Sequence, residues 1–416
     1  LAGNQMVTID DALGTFFGIG DEDDAVGSLL FAVTEGSVAD LMITSVITAT
    51  GDGGSEYGQA FPATAEDEVL SAGETAYLST TVDAEHTRVN FGAMAWADDT
   101  VIEVRPVDPA DTPLGNAVMT TLDFGESYQI NDVASSYGLG EIENYLLEAT
   151  VTAGSAVVYA SVLDGNSTNP GTSDPTTIQP VTAGAETVTL LELGPVEGYD
   201  EFSGSASISN LSDTAAQLEL DFHQRGTPGV AETVSLDIPI GDTVGYEDIV
   251  GDLFGLADVG TVVIRSLNET KVMATGREFS LLYDDAGESI GTAGQLIAGM
   301  TDDDLVQPGT IYHLLGLQQV STDDGRERSH IAAFNPSDDP VELELTLYDG
   351  ATGVSEGETT LTVEAGEQVQ TNNIIEVINP DQDGEPKRLE VTPGGEIFIK
   401  AFRVNPTGDP VTIDAL

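Results

Sequence analysis

The chain repeats itself, and that restricts its fold more than any single motif does. Asp11-Ala-Leu-Gly-Thr-Phe-Phe-Gly18 aligns with Asp248-Ile-Val-Gly-Asp-Leu-Phe-Gly255, and Tyr57-Gly-Gln-Ala60 aligns with Ala293-Gly-Gln-Leu296. Tyr77-Leu-Ser79 matches Tyr312-His-Leu314, and Arg88–Trp96 matches Arg328–Asn335 with one gap. These pairs define a long repeat of roughly 236 residues. A shorter repeat lies inside it. Gly125-Glu-Ser-Tyr-Gln-Ile-Asn-Asp-Val133 resembles Gly241-Asp-Thr-Val-Gly-Tyr-Glu-Asp-Ile249, and both resemble Gly366-Glu-Gln-Val-Gln-Thr-Asn-Asn-Ile374. Asn210-Leu-Ser-Asp213 and Asn335-Pro-Ser-Asp338 each precede an alternating run. The basic unit is therefore roughly 115–125 residues long, and the chain holds about three and a half of them.

The alternating runs read as strands. Val341, Leu343, Leu345 and Leu347 interleave with Glu342, Glu344, Thr346 and Tyr348, the period of a strand with one buried and one wet face. Similar runs occur at Ala156–Leu163, Gly260–Arg265 and Glu396–Phe402, with turn signals such as Tyr348-Asp-Gly350, Asn335-Pro336 and Thr392-Pro-Gly-Gly395 between them. Many short strands in a unit of this size predict an antiparallel β-sandwich. Each unit also carries one short helix behind an Asn or Asp cap, at Asn131–Tyr137, Asp248–Phe254 and Asn373–Ile378. The expected fold is all-β: tandem immunoglobulin-like sandwich units at 73–184, 185–308 and 309–416, preceded by the second half of a unit at 1–72.

The Asn-Pro-Ser-Asp, Leu-Tyr-Asp-Gly, Gly-Glu…Asn-Asp-Val and Tyr-Ala-Ser-Val-Leu-Asp segments resemble the tandem β-sandwich repeats of exported bacterial surface proteins. That resemblance covers the length of the chain. It implies an extracellular scaffold or attachment role and identifies no site.

Composition narrows the partners. The 72 acidic and 12 basic residues leave a formal charge of −60. Such a field repels phosphate backbones and anionic headgroups, which argues against nucleic acid and membrane surfaces. Acid excess with lysine confined to Lys271, Lys387 and Lys400 suits either a salty habitat or an ordinary acidic secreted protein. No apolar run approaches the roughly 20 residues of a membrane-spanning helix, so insertion is not expected. Cysteine is absent, which removes disulfides and thiolate chemistry. The chain opens at Leu1-Ala2-Gly3 without an initiator Met, so the expectation is a processed chain or a fragment.

No motif carries catalysis. Gly353-Val-Ser355-Glu-Gly357 fits the nucleophile-elbow pattern, but strand-like sequence flanks it on both sides where an elbow needs a following helix. His86, His223, His313 and His330 have no metal-ligand spacing, although His313 and His330 fall on neighbouring predicted strands. No enzyme is expected. Acidic clusters at Asp21–Asp24, Asp302–Asp304, Asp323-Asp324 and Asp381–Glu385 are either solvated loops or Ca²⁺ sites; Asp381, Asp383 and Glu385 are the best calcium candidates, alternating around a Gly turn. Three sequons, at Asn166, Asn210 and Asn268, are candidate glycosylation sites.

The incomplete first unit directs the functional expectation. Strands equivalent to Ser205–Asn210 and Ala216–Phe222 have no counterpart before Met6. Leu29, Phe31, Val33, Leu41 and Ile43 are therefore expected on an uncovered apolar face, an aggregation hazard unless something covers it. Either upstream sequence supplies the missing strands or other copies of the chain do, joined head to tail as a homopolymer. The reading is an extracellular, self-assembling subunit of a surface filament or layer. An adhesin or glycan-binding array, or the non-catalytic portion of a larger secreted protein, is the alternative.

Overall fold

A computed structural model describes residues 6–19, 27–37, 41–50, 56–79, 87–107, 113–139, 145–165, 174–195, 202–283, 289–322, 325–380, 384–405 and 409–414. The protein is all-β. Near the N-terminus lie a helix, α1 (Ala12–Phe17), and one hairpin, β1 (Thr44–Thr50) with β2 (Glu56–Pro62), paired from Thr44↔Pro62 to Thr50↔Glu56. Three sandwiches sharing one eight-strand topology follow, the first with a short ninth strand.

The first comprises β3 (Leu70–Ser71), a short strand paired with β10, then β4 (Thr75–Ser79), β5 (Thr87–Ala95), β6 (Thr100–Val107), β7 (Val118–Leu122), β8 (Ser127–Ile130), α2 (Val133–Tyr137), β9 (Leu146–Ala153), β10 (Ser155–Asp164) and β11 (Pro175–Ile178). Its sheets run β4-β9-β6-β7 and β11-β10-β5-β8. The second comprises β12 (Thr187–Leu193), β13 (Phe202–Asn210), β14 (Ala216–Gln224), β15 (Glu232–Ile238), β16 (Thr243–Tyr246), a π-type helical turn (Val250–Phe254), β17 (Gly260–Ser266), β18 (Val272–Tyr283) and β19 (Ser289–Ala298). Its sheets, β12-β17-β14-β15 and β19-β18-β13-β16, follow the same order strand for strand. The third comprises β20 (Tyr312–Thr322), β21 (Gly325–Phe334), β22 (Val341–Asp349), β23 (Ser355–Val363), β24 (Gln368–Thr371), α3 (Ile374–Ile378), β25 (Gly384–Pro393), β26 (Phe398–Val404) and β27 (Pro410–Asp414). Here β20 and β21 also pair with each other, so both sheets join into one.

Alternation drives the strands. In β22 the side chains of Val341, Leu343, Leu345 and Leu347 enter the core while Glu342 and Glu344 face solvent. Each sandwich closes around its own apolar core. Two of the helical turns carry local caps: Asp132 accepts from the Ser135 amide at 3.1 Å, and Asp248 from that of Gly251 at 3.0 Å; Asn373, the cap expected before α3, makes no such bond. Gly138 and Gly255 end those turns in the left-handed region, where a side chain would be strained.

The sandwiches also pack on one another. Val107, Leu146 and Met273 join the first to the second. Leu191, Val263 and Met300 meet Ala332, Phe334, Phe398 and Phe402 between the second and third. No helix among the described residues is long and apolar enough to cross a membrane.

Candidate functional site

All the units meet at four strands: β2 of the N-terminal hairpin and the last strand of each sandwich, β11, β19 and β27. Two sequence pairs form the meeting point, and each binds the other twice. Asp174-Pro-Thr-Thr-Ile178 and Asp409-Pro-Val-Thr-Ile413 are one pair; Gly58-Gln59 and Gly294-Gln295 are the other. Asp174 Oδ2 accepts the Gly294 amide at 2.8 Å, and Asp409 Oδ2 accepts the Gly58 amide at 3.1 Å. The hydroxyl of Thr177 donates to Gln59 Oε1 at 3.0 Å, as that of Thr412 does to Gln295 Oε1 at 2.9 Å. The contacts thus repeat under a local pseudo-twofold relation that exchanges the first sandwich with the third and the N-terminal hairpin with the second. A side chain at Gly294 would collide with the backbone of β18, so glycine there permits the close approach.

The junction is charged and buried. Arg277 on β18 is 5% exposed; it donates to the Thr292 hydroxyl at 2.9 Å and lies 3.6 Å from Asp174. Asp164 and Asp409 also bear on it electrostatically. Burial pushes the Asp409 carboxyl up to about 7, opposed by the Gly58 amide and Arg277. Asp174 is raised by burial and then by the charge of Asp409.

A second buried polar group lies between the second and third sandwiches. Glu192, in a bulge of β12 with φ 67°, is hydrogen-bonded by Gln368 of β24 and paired with Arg225 at 3.3 Å. Burial raises its carboxyl to about 8 and outweighs the opposite pull of Arg225. Glu278, bonded to Gln295 at 3.2 Å, is raised by burial to about 7.

The N-terminal half-unit contrasts with this closure. Its α1 repeats the π-type turn of the second sandwich: Asp11 accepts from Gly14 at 2.8 Å, as Asp248 does from Gly251, and Gly18 and Gly255 share φ 67° and ψ 25°. Phe254 is 8% exposed and stacks on Phe222 at 5.5 Å; its counterpart Phe17 is 62% exposed. Gly27-Ser-Leu-Leu-Phe31 aligns with Gly260-Thr-Val-Val-Ile264 of β17, yet residues 27–33 form no strand. The reason is topological. β17 pairs with β12 and β14, both first-half strands, whereas β18 and β19 pair with each other. Among the described residues the hairpin β1–β2 has its pairing, while 27–33 have no strand in the place of β12 or β14.

No protein-family model, no curated protein and no solved structure matches the chain. The residues themselves carry the functional argument.

Leu29 and Phe31 are exposed, and Val33, Leu41 and Ile43 are half-buried; all five lie outside strands, Ile43 directly before β1. Asp381 and Asp383 lie outside the described residues, while Glu385 lies on β25. Among the described residues no group of three His, Asp or Glu side chains is arranged to hold a metal ion. Asp302–Asp304 form a short 3-10 turn in which Asp304 accepts the Thr301 amide at 2.7 Å; Asp21–Asp24 and Asp323-Asp324 lie outside the described residues.

Asn166 also lies outside them. Asn210 is 1% exposed, and its amide nitrogen donates to the Thr214, Ile238 and Pro239 carbonyls at 2.8, 3.2 and 2.9 Å. The nitrogen a glycan would occupy is thus engaged. Asn335 repeats the clasp on Asp339, Val363 and Glu364, which explains the recurring Asn-x-Ser-Asp as a turn-forming motif. Asn268, though exposed, donates to the Ala215 carbonyl at 2.8 Å.

His313 pairs across to Glu390 of β25, and His330 to Phe402 of β26, so the two are not brought together. Burial lowers both, His330 to about 4. His223 bonds the Gly366 carbonyl at 2.8 Å across the second interface, and His86 lies outside the described residues. Ser355 opens β23 after a turn ending at Gly353; strands flank it on both sides.

Sequence reasoning passed over Asp174 and Asp409, which lie in segments that read as Gly- and Asp-rich loops. The signal was present: Asp-Pro-x-Thr-Ile occurs in both.

Proposed function

We propose that the chain is a structural protein, a self-assembling subunit of an extracellular surface filament or layer, joined through its N-terminal half-unit. One observation carries this reading. Leu29, Phe31 and Phe17 are substantially exposed at positions whose counterparts in the second sandwich, Val262, Ile264 and Phe254, are buried. Burying a residue of this kind contributes roughly 1.5–3 kcal/mol, so completing the half-unit supplies a driving force for association. The rest of the molecule suits a rigid building block. Three sandwiches locked by apolar contacts and a four-strand junction leave little freedom between units, and the N-terminal hairpin is fixed into that junction. The acidic surface sets the conditions: copies repel one another until salt screens them.

Negative-stain electron microscopy of the purified chain in molar salt tests the reading. Extended or sheet-like polymers are expected from the full chain, and single particles from a Leu29→Asp/Phe31→Asp variant with an unchanged circular dichroism spectrum. Single particles from the unaltered chain at all salt concentrations sink the proposal.

A further inference from the structure

We propose that residues 29–33 of one copy pair, as an added antiparallel strand, with the free edge of β7 in a second copy. The proposal rests on the assembly reading above and names the surface that docks there. Within its own copy the segment touches the first sandwich through the Ser28 and Ser127 hydroxyls, 3.2 Å apart, but among the described residues no strand pairs with 27–33, although the equivalent β17 has a neighbour on each side. An acceptor of this kind needs a strand edge that is exposed, apolar and free of acid. With a net charge of −60, two copies can approach only where both surfaces lack carboxylates.

β7 fits these requirements. It is the outermost strand of the sheet β4-β9-β6-β7 and, among the described residues, pairs with β6 alone. Val118-Met-Thr-Thr-Leu122 carries no charge, with Val118 36% and Met119 63% exposed. The corresponding edges are guarded: β15 carries Glu232 and Asp237, and β23 carries Glu356 and Glu358. Acidic side chains on an edge strand are the usual means of preventing edge-to-edge addition, and β7 lacks them. Gly27–Val33 is likewise uncharged and, like β7, long enough for a five-residue pairing. Adding it would extend that sheet by one strand and continue its core face onto Leu29 and Phe31. The two surfaces differ, so the contact is heterologous. One copy's half-unit meets the next copy's first sandwich, and the series does not close on itself.

Two full-length variants test this, Phe31→Asp and Met119→Glu, each altering an exposed position. Sedimentation velocity in molar salt should show each variant associating at least tenfold more weakly than the unaltered chain. A mixture of both should form dimers and nothing longer, because Phe31→Asp retains an intact β7 and Met119→Glu an intact 29–33 segment. Such dimers also establish that both variants are folded. If Met119→Glu assembles like the unaltered chain while Phe31→Asp does not, the β7 assignment is overturned and the assembly reading stands. If the unaltered chain itself stays monomeric, both are overturned.

Discussion

Glu192 holds a backbone conformation with φ 67° that non-glycine residues rarely adopt, at 3% exposure and with a carboxyl raised to about 8. A carboxyl whose folded-state value exceeds its unfolded value binds more protons when folded. Stability therefore falls as pH rises from the unfolded value near 4.5 to about 8. Removing the charge should remove that loss. Glu192→Gln is expected to raise the melting temperature at pH 8 and leave it nearly unchanged at pH 5; a shift of equal size at both pH values would contradict the assignment. Asn335 makes the opposite case. It is fully buried and its amide ties three carbonyls together. Asn335→Ala leaves those acceptors without their donor, and denaturant titration should show a loss of about 2–3 kcal/mol.

At the level of elements, the second half of a unit makes what it can pair for itself. The hairpin β1–β2 forms because its strands satisfy each other, while Gly27–Val33 has the composition of a strand but, among the described residues, no paired strand, only the Ser28–Ser127 hydroxyl contact with β8. The sequence showed much of this. Alternation located β22, and the Asn or Asp before each helical turn located α2 and α3, although Asn373 makes no side-chain cap bond. It showed less of the junction. Asp174 and Asp409 sit beside Gly and Pro at turns, where an acidic residue ordinarily meets solvent, and only the meeting of four distant strands buries them. Asn210 illustrates the same limit: a sequon and a carbonyl clasp read alike until the turn around them is built. The junction makes its own prediction. Asp409→Ala should raise hydrogen exchange at the Gly58 amide by about tenfold or more while Gly294, held by Asp174, keeps its protection. Equal loosening of both amides would mean that the two halves of the junction are not separable.

Over the whole molecule, charge and burial act in the same direction. Glu192, Glu278, Asp174 and Asp409 all bind protons more tightly when folded, and a net charge of −60 adds self-repulsion that grows as carboxylates ionise. The melting temperature should therefore fall from pH 5 to pH 8, and molar salt should recover part of the loss by screening. Millimolar calcium should raise it further if Asp381, Asp383 and Glu385 bind the ion, and titration at constant ionic strength separates that effect from screening. The central claim is that the half-unit is completed by another copy, and amide hydrogen exchange on assembled against monomeric chain tests it most directly. Residues 27–33 should exchange freely in the monomer and become protected in the assembly to about the level of β17. Fast exchange at 27–33 in assembled material would contradict the account.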